Sequence, residues 1–200
     1  MIEFQCVLKR YARVLVLGLC AVGWPVACAV GQTGGKAKGL NPREVADLFH
    51  AIVSANRAVY SQVVVNRLML QDKVMKASEH YLKEKALPLP AQLFRLGAEL
   101  ATEKNRRVFY SLHSYWPLNK QNAPRTKKEK DGLAFVTVKG ENFYGEEVVD
   151  GIRYFIAVYP DRATDPSCVN CHNNHKDSPR RDFKIDEVMG GVVIRLPFGE

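Results

Sequence analysis

The residues Cys168-Val169-Asn170-Cys171-His172 have the types and spacing to do chemistry. They read C-x-x-C-H, the attachment pattern of a c-type haem. Two thiols two residues apart can reach one porphyrin and add across its vinyl groups. The histidine beside the second thiol then lies under the iron as proximal axial ligand. On this basis Cys168 and Cys171 carry thioether links, His172 binds the iron, and a single motif means one haem. Two other chemistries compete. A structural zinc site would need further ligands at a similar spacing, and His175 is the only nearby addition. A thioredoxin-like dithiol would need a helix starting at the motif, whereas Asp165-Pro166-Ser167 before it and Asn173-Asn174 after it look like a loop.

The opposite face of the iron is not specified by the motif. Candidate sixth ligands are His50, His80, His113, His175, Tyr60, Met69, Met75 and Met189. His175 is close in sequence to His172 for a ligand that must cross the ring plane, and His80 sits in a charged stretch that reads as solvated. A strong second ligand favours electron transfer, and an open position favours gas binding. Lys176, Arg180 and Arg181 follow the motif and could meet haem propionates or an acidic redox partner, or form a solvated basic loop.

Cysteine usage narrows the chemistry. Of five cysteines, Cys6, Cys20 and Cys28 lie near the amino terminus with Cys168 and Cys171 far from them. Lys9, Arg10 and Arg13 precede an apolar run over residues 14–24, and Ala27-Cys28-Ala29 supplies an A-x-A site. This pattern predicts a secretory signal over residues 1–29, cleaved after Ala29, and a periplasmic chain. The run is short for a membrane span, which needs about 20 residues. Membrane association is expected only if the signal stays uncleaved. Once residues 1–29 are removed, the motif pair is the only thiol chemistry left. That excludes a disulfide scaffold and puts the motif outside the cytoplasm, where haem is attached to thiols.

Two hundred residues, 46% of them hydrophobic, suffice for one domain with a real core. The formal net charge of +8 would suit an acidic partner, and residues 1–29 hold +2 of it. No nucleic-acid partner is expected. There is no phosphate-cradling glycine loop, nucleophile elbow or H-E-x-x-H.

The elements that position the motif follow from pattern. Residues 30–40 read as a flexible glycine-rich linker. Asn41-Pro42 opens a long amphipathic helix carrying Val45, Leu48, Phe49, Ile52, Val53, Val59, Val63, Val64 and Leu68, expected to reach the region of Lys76. One such face is hard to cover in a small fold, so it could pair with a second copy. Residues 86–90 break the helix and Pro90 starts another. Residues 107–115 read as a strand, 125–131 as a short charged helix and 133–139 (LAFVTVK) as a strand. Residues 144–149 and 152–159 flank Asp150-Gly151, a two-residue hairpin signal. Residues 190–197 form a closing strand. The sum is an α+β domain with an antiparallel sheet.

Three stretches carry a family resemblance: residues 116–124 (WPLNKQNAP) with the charged helix and Gly132-Leu133, residues 154–160 leading into the motif, and residues 186–197 containing Met189-Gly190-Gly191-Val192-Val193-Ile194-Arg195-Leu196-Pro197. In this order and context the chain resembles small exported c-type haem proteins with a PAS-like fold, the Tll-type haem domain. The resemblance spans roughly residues 45–197. It implies a PAS-like α+β domain over residues 41–200, a long amino-terminal helix, haem against the sheet, thioethers at Cys168 and Cys171, and His172 as proximal ligand. Some relatives have a distal cysteine. This chain departs there, with no cysteine beyond the motif after the signal.

The expected function is that of an exported mono-haem cytochrome, an electron carrier or redox-responsive protein with a redox partner protein. The alternative is a sensor or binder of a diatomic gas acting through a separate partner. A haem enzyme such as a peroxidase ranks last, for want of a distal acid–base pair.

Overall fold

The computed structural model describes residues 39–198. The expected signal lies outside them, as does the linker apart from Gly39 and Leu40. Among the described residues no helix is long and apolar enough to cross a membrane.

Helix α1 spans Pro42–Val59. Asn41 caps it: its side chain accepts from the Glu44 amide at 2.9 Å, and Glu44 accepts from the Asn41 amide at 2.8 Å. This reciprocal box satisfies two of the donors a helix start leaves free. The helix continues without a break as a π-helix over Tyr60–Gln71. Where the winding changes, the Ser61 hydroxyl donates to the Arg57 carbonyl at 2.8 Å, competing for the acceptor an α-helix would use. The helix stops at Gln71, short of Lys76, because Lys73 takes a left-handed turn at φ 54°. A short α2 (Tyr81–Glu84) and α3 (Pro90–Lys104) follow.

Strands β1 (Phe109–His113), β2 (Phe143–Val149), β3 (Ile152–Arg162) and β4 (Val188–Pro197) form one antiparallel sheet in the order β1-β4-β3-β2. The hairpin between β2 and β3 turns at Asp150 and Gly151, both at positive φ, as its dipeptide requires. Side chains alternate across the sheet. Ala157, Tyr159, Val192, Ile194 and Leu196 face α1 and α3, joined by Ala46 and Phe94. Ile156, Val158 and Val193 face the other way, onto Leu133 and Val136.

Those last two residues lie on α4, which spans Lys127–Lys139. The strand expected over residues 133–139 is therefore helical. The expected short charged helix and that strand are one element. Thr126 and Glu129 form a capping box at its start and Gly140, at φ 68°, ends it. The buried positions Glu129, Gly132, Leu133 and Val136 recur at three- and four-residue spacing, so packing of one helical face against the sheet overrides the local alternation. Gly132 permits that contact, since a Cβ there would sit 2.6 Å from Val158 Cγ2 and 2.9 Å from Phe143 Cδ1. Gly132→Ala gains about 1 kcal/mol of helix propensity, but overpacking costs about 1–3 kcal/mol. A net loss of up to about 2 kcal/mol is expected, checked by urea melts; a stabilised variant would show that the two layers can separate freely.

A charged network crosses this second core. Glu129 is 1% exposed and accepts from the amides of Arg125 and Thr126 and from Arg195 Nη2. Arg195 Nε also binds Glu147 at 2.5 Å. His113 Nε2 stands 3.7 Å from Glu129 while Nδ1 meets the Ala123 carbonyl at 3.0 Å. This approach does not join two full charges at neutral pH. Burial lowers the His113 pKa in spite of the neighbouring carboxylate and keeps the imidazole neutral.

Candidate functional site

The motif lies on a helix, α5, spanning Pro166–Asn174. The loop expected there is corrected. Asp165-Pro166 is a helix start, with Asp165 as N-cap and Pro166 at the first helical position. The Asp165 carboxylate accepts from the Ser167 amide at 2.8 Å and from its hydroxyl at 2.5 Å. In the last turn Asn174 Nδ2 donates to the Asn170 carbonyl and side chain, both at 2.8 Å. Helical winding gives the motif its geometry. Cys168, Cys171 and His172 stand at i, i+3 and i+4 and so share one face.

Two anchors tie the amino end of α5, and the end of β3 that leads to it, to the long helix. Asn66 Nδ2 donates to Asp165 Oδ2 at 2.7 Å, and the Arg57 guanidinium pairs with Asp161, at the end of β3. The carboxyl end is tied to the chain beyond it. Asn173 exchanges two bonds with the Phe183 backbone, at 2.9 and 3.0 Å. Phe183 is buried with Ala163 and Met189, and Trp116, Cys168 and Val169 pack on that cluster. The His172 ring meets Phe183 edge-on, with centroids 6.0 Å apart and planes at 89°. The sequence pattern gives no role to Arg57, Asn66, Asp161 or Phe183, and it reads Asp165 as part of a loop. A usable signal was present for two: Arg57 is a cation on the apolar side of a helix, and Asp165 precedes a proline.

The electrostatics leave a neutral imidazole and two protonated thiols. Burial lowers the His172 pKa, partly offset by Asp161, so the imidazole is neutral. Its Nδ1 is buried and has no hydrogen-bond partner among the described residues. Burial raises the Cys168 thiol, with Asp165 adding to the effect. Burial also raises Cys171, with Glu79 adding. Both cysteines are free. A redox dithiol needs a lowered thiol pKa, so although the motif now lies on a helix, its electrostatics run against thioredoxin-like chemistry. Among the described residues no group of three or more His, Cys, Asp or Glu side chains could hold a metal ion, which leaves a structural zinc without its ligand set.

The other candidate residues are widely spread. His50 lies flat on Tyr159, with ring centroids 3.9 Å apart. His113 belongs to the network around Glu129. His80 and His175 both approach Glu79 Oε1, at 3.6 and 3.7 Å. The Tyr60 hydroxyl donates to the Pro88 carbonyl at 2.8 Å. Met69 is half-buried on the π-helix and Met75 is exposed. Among the described residues, Met189 is the methionine that shares a cluster with Cys168. Arg180 is engaged within the protein. It binds Asp182 at 2.7 Å and also Glu187, and its guanidinium lies 4.6 Å from the Trp116 ring centroid and 4.3 Å from that of Phe183. Arg181 donates to the Lys176 carbonyl at 3.1 Å.

A model of the Tll0287-like family matches residues 42–197. No curated protein matches the chain. Among solved structures it is similar to one titled "Crystal structure of the cyanobacterial heme-protein Tll0287", with 14% identity and a TM-score of 0.50 over 79% of this chain and 97% of that one. At that identity the likeness speaks for the fold.

Proposed function

We infer that this chain, which belongs to the Tll0287-like family, is an exported protein holding one covalently attached haem and working as a one-electron carrier or redox-responsive protein. The observation that carries the reading is the shared face of α5, where two protonated thiols and a neutral imidazole stand at i, i+3 and i+4. Cys168 and Cys171 would hold the porphyrin, and His172 would bind the iron. When bound, haem supplies a ferric–ferrous couple. The protein's own part is orientation. Asp165 caps the helix, Asn66 and Asn173 hold its two ends, and the Phe183 ring sets the plane of His172. The neighbour's title names a heme protein, which supports the same cofactor here. Export follows from the signal pattern over residues 1–29.

The test is the absorption spectrum of the purified protein with its mass after denaturation. One haem retained through denaturation is expected, with a six-coordinate low-spin spectrum unchanged by carbon monoxide. Ready carbon monoxide binding to a high-spin ferrous form would replace electron transfer with gas binding. A chain exported beside a working haem-attachment system that still keeps no haem would sink the whole reading.

A further inference from the structure

The long helix has two apolar faces, and the fold uses one. Ala46, Phe49 and Val53 turn towards the sheet, Val65 is buried, and Arg57 and Asn66 bind Asp161 and Asp165. With that side pinned, the opposite side stays outward. There Leu48 is 54% exposed, Ile52 60%, Val59 57% and Val63 54%. Single exposed aliphatics are ordinary on a protein surface, but a continuous stripe along one helix is not.

We propose that this stripe pairs two copies of the chain as antiparallel helices, about a two-fold axis passing between Ala55 and Asn56. The spacing points to a second copy. Leu48 and Val63 lie the same number of residues from that midpoint, and so do Ile52 and Val59. An isologous contact needs that symmetry, because residue i meets j while j meets i. Charge agrees with spacing. Glu44, which also accepts from the Asn41 amide, and Arg67, 3.5 Å from Asp72, are both exposed and the same number of residues from the midpoint, so an antiparallel pair brings carboxylate near guanidinium at both ends. A parallel pair would set each against its own like. Ala51, Ala55 and Ala58 are exposed on the outward side and let two backbones approach closely.

Size sets the strength. Fifteen of the thirty residues from Pro42 to Gln71 are exposed. A standard stable interface uses about 20–30 residues a side. The pair therefore belongs to the class that dissociates on dilution. The inference does not depend on the cofactor, and its failure would leave the haem reading intact.

Sedimentation of the purified full chain over a dilution series tests it. A reversible monomer–dimer equilibrium is expected. Ile52→Glu with Val59→Glu should give monomer at every concentration with unchanged circular dichroism, since both positions are exposed. Glu44→Arg should weaken the dimer roughly tenfold, because like charges then meet at both ends, and adding Arg67→Glu should restore it. For direction, single cysteines are placed in a Cys168→Ala, Cys171→Ala background. A mixture of Leu48→Cys and Val63→Cys chains should form a disulfide heterodimer, while Leu48→Cys alone should not dimerise. A chain that stays monomeric at high concentration, or a dimer indifferent to the two glutamates, overturns the proposal. Leu48→Cys crosslinking to itself overturns the antiparallel arrangement.

Discussion

Alanine at both Cys168 and Cys171 is expected to abolish covalently held haem and to leave the fold standing. Both thioether bonds of the proposed attachment use these sulfurs, and no other free cysteine occurs among the described residues. The variants are mild for the protein itself. Cys171 is exposed, and Cys168 touches the cluster of Ala163, Phe183 and Met189 from its edge. Losing one partly buried sulfur costs about 1 kcal/mol. The caps and ties of α5 come from Asp165, Asn66 and Asn173, which the substitutions leave alone. Haem staining after a denaturing gel should therefore vanish, while the far-ultraviolet dichroism and cooperative melt of the apoprotein stay close to those of the unaltered apoprotein. Each single variant keeps one thiol and should retain part of the stain. Stain surviving in the double variant would refute the assignment. A collapsed double variant would mean that the sulfurs serve the core.

Glu129→Gln should strongly destabilise the sheet's second core. The carboxylate takes two backbone amides and the Arg195 guanidinium in a site 1% exposed to solvent. Removing one partner of a buried charged network costs about 3–5 kcal/mol, because the other charge stays behind without compensation. Glu147 still binds Arg195, which puts the expected cost at the low end, about 3 kcal/mol. For a domain of this size that lowers the melting temperature by roughly 6–12 °C. The variant also has an acid signature. Burial alone would raise the Glu129 carboxyl. The amides of Arg125 and Thr126, together with His113 and Arg195, outweigh it and hold the pKa below its ordinary 4.5. A group with a lowered folded pKa stabilises above its unfolded value and loses that contribution as pH falls through the folded one. Wild-type stability should thus fall below about pH 4.5 in part through Glu129. His113, also lowered, withdraws its share earlier, as pH drops below 6.5. Melts between pH 7.5 and 3.5 separate the two: Glu129→Gln should keep the first decline and flatten the second. An unchanged acid limb would show that other carboxylates govern acid unfolding.

Much of the fold was legible where local chemistry and tertiary packing agree. Asp150-Gly151 marked its hairpin because two successive positive φ angles leave few alternatives. Asn41-Pro42 and Pro90 each opened a helix for the same kind of local reason. Residues 133–139 failed because their alternation reflects neither sheet face. Leu133 and Val136 are buried through helical spacing, and Val138 is 79% exposed. The signals that could have prevented the error were the Thr126–Glu129 box and Gly140. At the motif, the residue types gave the proposed attachment atoms, but the helix was hidden because asparagine and proline serve as loop formers and cap residues alike. The anchors Arg57–Asp161 and Asn66–Asp165 join residues about a hundred positions apart, beyond the reach of any local pattern.

The position of β4 has a consequence for how the molecule comes into being. It follows the other three strands in the chain, yet it lies between β1 and β3 and lends side chains to both cores. A polypeptide emerging amino end first therefore carries β1 and the β2–β3 hairpin with no common neighbour until residues 188–197 appear. Neither layer of helices has a complete surface to settle on before then. The domain should assemble in one late step rather than piece by piece during synthesis. Until that step, the two thiols of α5, which precede β4 in the chain, are presented by an open polypeptide.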